Sequence, residues 1–480
     1  MSATKSVVFP KLLEGRSEDG RRILAIKDDL QLKLTKSTVF PEQFLYKEYD
    51  DGFVIQHHLE GRDLEKNLYH DSERMASLMV STEGGLQVEG IVGKNLRIRP
   101  LTLEQRSSQG DGGHLLYEVE ERIPQQGDIL HAPDTEFEER ASAFTLRHVN
   151  VNSRQDQTNY EMPETNPEVL IVVDTAHHKK YTGKRYEKRD KIIQYFGIFV
   201  NAVNLKYTTL AFPKVKFVLA GIWRHNATEE SEYMKLPASN LINSMASMVN
   251  LANYANLKKL EFASFDLVVV VTGRDLVRVH DNGEYSKAEA GRAYVGKVCD
   301  ERYKVGMAED FPHTYDGVHT FAHEVGHLMG CYHDGYPSPT PGRPGGENCS
   351  ASERLIMSPY SSSSDVVRFS YCCALQVWHV YHQDSKDCLK TRSRTTDYIV
   401  KKLPGDALKS PDEFCKLEYP QYNETVKSLS NKQLPGCIIS CKLKPDDSGY
   451  YLYNSPDGMP CEENTTKVCM NKECKEYSEF

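Results

Sequence analysis

HEVGHLMGCYHD, residues 323–334, crowds three histidines, one glutamate and two glycines into twelve positions. On a helix, His323 and His327 lie four positions apart and share one face, where both imidazoles can grip a single metal ion. Glu324 stands beside the first and projects next to that ion, placed to take a proton from a water held there. A helix continued to His333 would carry it six residues, at ~100° each, well over half a turn from His327's face. Gly330 removes the difficulty. Glycine adopts a left-handed backbone without steric cost, so it can stop the helix and turn the chain. His333 then swings back as the third ligand. Three neutral histidines leave a fourth position open for water, the arrangement of a catalytic zinc rather than a closed structural one. One Zn2+ there lowers the pKa of its water towards ~7 and polarises a peptide carbonyl. Glu324 acts as general base and afterwards delivers the proton to the leaving amine. A bare His-Glu-x-x-His arises by chance in roughly one or two of a hundred chains this size, whereas the added glycine and third histidine cut that to tens per million or so. Other histidines, such as His177, His178, His379 and His382, read as surface or core residues.

The chain upstream alternates strands and helices. VLIVVD (169–174) is a buried strand. KIIQYFGIFVNAVNLKY (191–207) places Ile192, Ile193, Phe196, Phe199, Val200 and Val203 on one helical face. KVKFVLAGIW (214–223) alternates like a strand, SNLINSMASMVNLANYANLKKL (239–260) reads as a second helix, and DLVVVVTG (266–273) as a second buried strand. AYVGKVC (293–299) is a further short strand ahead of the histidine helix. This order indicates α/β architecture. Residues 1–150 read differently, as β-rich. LQLKL (30–34) has period two, and GLQVEGIVGKNLRIRPL (85–101) holds two short strands around Gly93. RSSQGDGG (106–113) reads as a loop, and the polar stretch 150–167 as a linker and candidate cleavage region. The boundaries that follow are 1–150, a linker 151–166, 167–392 and 393–480.

All twelve cysteines lie between Cys299 and Cys474, six in 299–388 and six in 415–474. Each set can close on itself, with connectivity left open. Cys372 and Cys373 are adjacent, which disfavours a bond between them and points to different partners. Such a cluster fits an oxidising compartment. The first ten residues, MSATKSVVFP, lack the apolar segment of about 7–15 residues that marks a signal peptide. The expectation is a secreted protein whose signal peptide is absent or replaced, and sequons at Asn226, Asn348, Asn423 and Asn464 agree with it. A length of 480 residues calls for two or three domains, and 39% hydrophobic residues suffice for a core. The net charge of −9 comes without any basic stripe or Lys/Arg block, so nothing recommends a nucleic-acid binder. No apolar run approaches the ~18 residues of a membrane span. Oligomeric state leaves no sign.

His-Glu-x-x-His-x-x-Gly-x-x-His followed by Asp334 resembles the metzincin zinc proteases, specifically the reprolysin (adamalysin) branch that includes the ADAM-like enzymes. LIMSPY (355–360) supplies Met357 for the methionine turn that floors such sites. VLIVVD, the FVNAVN helix, DLVVVVTGRDL (266–276), GRAYVGKVC (291–299), RFSYC (368–372) and DCLK (387–390) resemble successive landmarks of that domain, over about 167–392. The resemblance implies a mixed twisted sheet with long helices, a zinc helix and a methionine turn. It also implies a Cys299–Cys388 bridge and a cleft edge formed by the AYVG strand. Along that edge, Gly291, Ala293, Tyr294, Val295 and Gly296 would pair with an extended substrate through main-chain hydrogen bonds. DGMPCEENTTKVCMNKEC (457–474) resembles the cysteine-rich modules that follow reprolysin domains. KLLEGRSEDG (11–20), LRIRPL (96–101) and LLYEVE (115–120) resemble the propeptide of secreted tick salivary metalloproteases.

The expected whole is a propeptide-like domain, a zinc endopeptidase and a cysteine-rich exosite, acting on extracellular proteins such as matrix components or fibrin(ogen). Several residues depart from the family pattern. The first 298 residues contain no cysteine, so the propeptide-cysteine latency of many reprolysins is impossible here. Cys331, inside the motif, is expected in a disulfide, and Asp334 in a structural hydrogen bond. Glu168 and Asp266 match positions that hold a structural Ca2+ in some reprolysins, but Thr391 stands where an asparagine is expected. Two rivals belong to other classes: a binding protein working through its cysteine-rich tail, and a small-molecule zinc hydrolase. A binding-only relative could lose Glu324 freely, and here it is present.

Overall fold

A computed structural model of the protein describes residues 5–16, 22–50, 53–101, 112–119, 129–130, 163–210, 212–280, 282–287, 289–360, 368–391, 410–419, 427–428, 437–442, 450–456, 458–462, 467–470 and 473–476. Most of the expected loop 106–113 and of the linker 151–166 lie outside these residues. The fold is mixed α/β. Its centre is an eight-stranded sheet in the order Ile129–Leu130, Gly291–Tyr294, Val305–Glu309, Leu267–Thr272, Glu168–Val173, Val218–Arg224, Gln43–Asp50 and Phe53–Glu60. Its inner strands are parallel and buried along their length, so Glu168–Val173 and Leu267–Thr272 read as continuous apolar runs. Only Gly291–Tyr294 against Val305–Glu309, and the outer hairpin Gln43–Asp50/Phe53–Glu60, are antiparallel.

Gln43–Asp50 comes from the β-rich N-terminal region, yet it pairs in parallel with Val218–Arg224. Apart from Phe53–Glu60, the other strands described before residue 119 form a nine-stranded antiparallel sheet. Its members include the expected strands Leu30–Lys36, Gln87–Gly93 and Leu96–Pro100.

Between the two sheets lies the long helix Arg185–Tyr207. The apolar periodicity identified one buried face. The structure buries nearly the whole circumference from Ile192 to Tyr207, because a second sheet covers the face that the pattern left over. Phe196, Phe199 and Val203 share one core with Val169 and Ile171 of the central sheet and with Phe40, Met79 and Ile91 of the N-terminal region. Full burial of such side chains is worth about 1.5–3 kcal/mol each. Polar residues on this helix are buried with partners. Asn201 Nδ2 donates to Ser77 Oγ (2.8 Å), and Ser77 Oγ donates to Ile198 O (2.8 Å).

Three elements differ from the sequence-based expectation. The expected helix 239–260 begins at Ser244, because Leu241–Asn243 forms a strand beside Asp275–Val279 and the Asn243 side chain then caps the helix at Ala246 N. The expected strand 214–223 breaks into Lys214–Val215 and Val218–Arg224. The expected strand 293–299 is instead Gly291–Tyr294, so Val295 and Gly296 fall outside it. Gly296 has φ +67° and turns the chain so that its N–H donates to His327 O (2.8 Å).

The cysteines pair as Cys299–Cys388, Cys331–Cys373, Cys349–Cys372, Cys415–Cys441, Cys437–Cys469 and Cys461–Cys474. Each of the two sets of six thus closes on itself. The C-terminal set surrounds a small core of Tyr419, Ile439, Tyr453 and Met459, which packs on Tyr186 at the start of the long helix. No helix among the described residues is long and apolar enough to cross a membrane.

A Cβ at Gly197 would come within 3.0 Å of the Phe40 ring. Gly197→Val should therefore destabilise the protein by about 1–3 kcal/mol through overpacking. Phe40→Ala in the same chain should recover part of that loss, as a double-mutant cycle in denaturant would reveal.

Candidate active site

The helix carrying the first two histidines is Val318–Leu328, buried on every side. Its entry is fixed by Asp310, whose Oδ1 accepts from Gly317 N (3.0 Å) while Oδ2 accepts from Tyr195 OH (2.7 Å) and lies 2.9 Å from His177 Nε2. Burial pushes the Asp310 carboxyl up to about 7 and His177 down to about 4, which favours the neutral forms of both. His177 is thus a core residue beneath the helix entry. Its exit is a Schellman turn. Gly330, at φ +114°, donates its N–H to His327 O (2.8 Å), and Cys331 N donates to Gly326 O (2.9 Å). The Cys331–Cys373 disulfide then ties the turn to the helix Tyr371–Tyr381.

The turn brings His333 back. His323 Nε2 lies 3.0 Å from His327 Nε2 and 3.2 Å from His333 Nε2, and all three rings are buried. The opposite nitrogens of two of these rings are engaged. His323 Nδ1 meets Ile356 O at 2.6 Å, and His327 Nδ1 meets Cys331 O at 2.7 Å. A carbonyl only accepts, so each Nδ1 carries the proton and each Nε2 presents a lone pair to the common centre. Nitrogens bound tetrahedrally at 2.0–2.1 Å would stand about 3.3 Å apart. The observed spacing, burial and tautomers therefore fit one zinc ion held by His323, His327 and His333.

Glu324 is fully buried and lies against the strand Gly291–Tyr294. A Cβ on Gly291 would stand 2.3 Å from its Oε1, so only glycine leaves room for this carboxylate. Met357 is buried under the helix, with Sδ 2.8 Å from where a Cβ on Gly326 would be. Asp334 donates its N–H to Met357 O (2.9 Å) and accepts from Ser370 Oγ (2.6 Å). The structure thus gathers His323, Glu324, His327, Gly330, His333, Met357, Gly291 and Ala293 at one place. Tyr294 lies on the far face of the edge strand, in the other core.

Glu168 and Asp266, the positions that match a structural calcium site in some reprolysins, lie together. Asp266 Oδ2 accepts from Glu168 N (2.8 Å), while the Thr391 hydroxyl donates to Asp387 O (3.1 Å). Among the described residues no third carboxylate or histidine joins Glu168 and Asp266.

Two features escaped the sequence reading. Ile129–Leu130 pairs in parallel with Ala293–Tyr294, on the free side of the cleft edge. Arg97, wholly buried, donates from Nε to Thr314 O (2.7 Å) in the loop that leads into the histidine helix. A two-residue strand has no periodicity to detect. The arginine gave only a weak signal, lying between the apolar Leu96 and Ile98 of LRIRPL.

Residues 193–334 match the model of the metallo-peptidase family M12B, reprolysin-like. This segment is reprolysin-like. It spans the strand Gly291–Tyr294, the three histidines, Glu324 and Asp334, and the family it resembles is one of metallo-peptidases. A Bombyx mori protein described as a disintegrin and metalloproteinase with thrombospondin motifs like is 25% identical over 459 residues, covering 85% of this chain and 64% of its own length. The chain thus spans just under two thirds of that relative. The venom metalloproteinase BumaMPs1 of Olivierus martensii is 25% identical over 383 residues, covering 77% of this chain and 88% of its own. Among solved structures, metalloproteinase-II from Bacteroides fragilis aligns over 78% of this chain and 91% of its own, at 10% identity and a TM-score of 0.34.

A side chain at Gly330 meets both an unfavourable φ and Val380 Cγ2, 2.5 Å from the Cβ position. Gly330→Ala should cost about 1–3 kcal/mol and displace His333. Zinc retained after dialysis, measured by elemental analysis, should fall well below one per chain.

Proposed function

We propose that the protein is a secreted zinc endopeptidase of the reprolysin type that hydrolyses peptide bonds in extracellular proteins. The observation that carries this reading is the convergence of three buried imidazoles, two on the helix Val318–Leu328 and one beyond its terminal turn, beside the buried carboxylate of Glu324. Zinc, when bound, supplies a Lewis acid that polarises the scissile carbonyl and makes water acidic near neutral pH. Glu324 takes the proton of the attacking water and returns it to the leaving amine. Met357 floors the site, and the Schellman turn at Gly330 holds His333 in the ligand set. The strand Gly291–Tyr294 offers its main chain to an extended substrate. Gly291 and Ala293 are small where they face the zinc helix, which leaves a close approach for Glu324.

The N-terminal region is read as propeptide-like, with domain limits at 1–150, 167–392 and 393–480. Latency is then a matter of occupancy: Ile129–Leu130 holds the edge that a substrate strand would use. Six disulfides and the kinship to a venom metalloproteinase support an extracellular site of action. Matrix components and fibrin(ogen) are the substrates this reading favours, with the cysteine-rich C-terminal unit as exosite. The N-terminal segments KLLEGRSEDG, LRIRPL and LLYEVE are read as resembling the propeptide of secreted tick salivary metalloproteases.

The test is proteolysis of denatured casein or gelatin before and after the chain is cut near residue 160. Glu324→Ala should lower turnover by about 10²–10⁴-fold with zinc still bound, and 1,10-phenanthroline should abolish activity. Cutting should raise activity. A zinc-loaded protein inert in both forms would sink the catalytic reading.

A further inference from the structure

Where residues 5–119 meet the rest of the described chain, the contact has the make-up of a protein interior. Gln43–Asp50 gives Val218–Arg224 its outer neighbour in the central sheet. Phe44 and Tyr46, both fully buried, lie in the same core as Val169, Ile171 and Ile222. On the other side Met79 and Ile91 close over the long helix.

Buried polar groups join across the same boundary. Glu48, 1% exposed at its side chain, faces Arg185 and reaches Arg224 (2.9 Å). Burial alone would raise its carboxyl, but the His57 hydrogen bond and the two guanidiniums outweigh that and hold it well below the usual range. Arg97 donates to Thr314 O and Tyr315 O, and Tyr117 OH donates to His313 O (2.6 Å). Departure of residues 5–119 would strip these partners from groups that sit on the catalytic unit and would open one edge of its central sheet.

We propose that residues 5–119 are a permanent, non-covalent subunit of the molecule, so that cutting the chain within the stretch 150–167 yields two fragments that stay together. No disulfide enforces this, since every cysteine lies at 299 or beyond and pairs there. The sheet, the core and the buried ion pairs must hold the fragments by themselves. Freeing the strand Gly291–Tyr294 then requires only that Ile129–Leu130 leave it, while residues 5–119 stay in place; this last step rests on the peptidase reading above.

The test places a recognition site for a sequence-specific protease between residues 153 and 158 of the full chain, in a Glu324→Ala background that prevents self-digestion. The purified protein is cut and passed over a gel-filtration column without denaturant, and each fraction is run on a denaturing gel. Both fragments should co-elute at the volume of the uncut chain, persist on dilution to nanomolar concentration, and part only in denaturant. Glu48→Ala with Arg97→Ala should leave the uncut chain folded and raise the dissociation constant of the cut form at least tenfold. Recovery of either fragment alone, soluble or precipitated, overturns the proposal. The readout is association, so that failure would leave the peptidase reading untouched.

Discussion

The helix Arg185–Tyr207 has no face to give to water over most of its length, and the rest of the molecule is arranged around that constraint. An amphipathic helix needs one apolar neighbour, whereas a helix apolar all round needs several. Here one neighbour is the central sheet, another is the antiparallel N-terminal sheet, and a third is the histidine helix. Phe199 meets Phe321 edge to face at 5.3 Å, and Tyr207 OH donates to Ala322 O (2.9 Å), one residue before His323. The height and rotation of the histidine helix are therefore set by a helix that the N-terminal region helps to bury.

The geometry of the site is set by backbone more than by side chains. The carbonyls of Ile356 and Cys331 fix the rings of His323 and His327, and both lie on tight segments: the turn that holds Met357 and the turn that follows Gly330. The two turns are joined by Asp334 N to Met357 O. Glycine recurs for the same reason. Gly326 admits Met357, Gly330 admits the turn, and Gly291 admits Glu324.

How much of this was legible depended on the range of the interaction. The histidine motif could be read because its logic is local: a four-residue spacing, a helix stop and a return. The buried strands Glu168–Val173 and Leu267–Thr272 were legible as apolar runs too long and too β-branched for turns. The helix face defined by Ile192, Phe196 and Phe199 was legible, but Ile198 and Ala202 on the far side were not. Their burial comes from a sheet more than a hundred residues away in sequence. The pairing of Gln43–Asp50 with Val218–Arg224 was hidden for the same reason, since periodicity names a strand and not its neighbour. Gly291 was read as part of a substrate edge. Its nearness to Glu324 depends on how closely that edge approaches the helix, which no spacing encodes.

The edge strand shows how two demands are met by four residues. Successive side chains point to opposite faces. Gly291 and Ala293 face the histidine helix, where anything larger would push the strand away from Glu324 and Leu328. Arg292 and Tyr294 face the other layer, where Arg292 is buried against Glu289 and Tyr294 packs edge to face on Tyr303 at 5.0 Å. Both faces of the strand are thus committed to the interior. Its outer side can offer an incoming strand only N–H and C=O groups, as it does to Ile129–Leu130. The contribution of this strand to such pairing is therefore made by its main chain, and its own side chains serve the two cores.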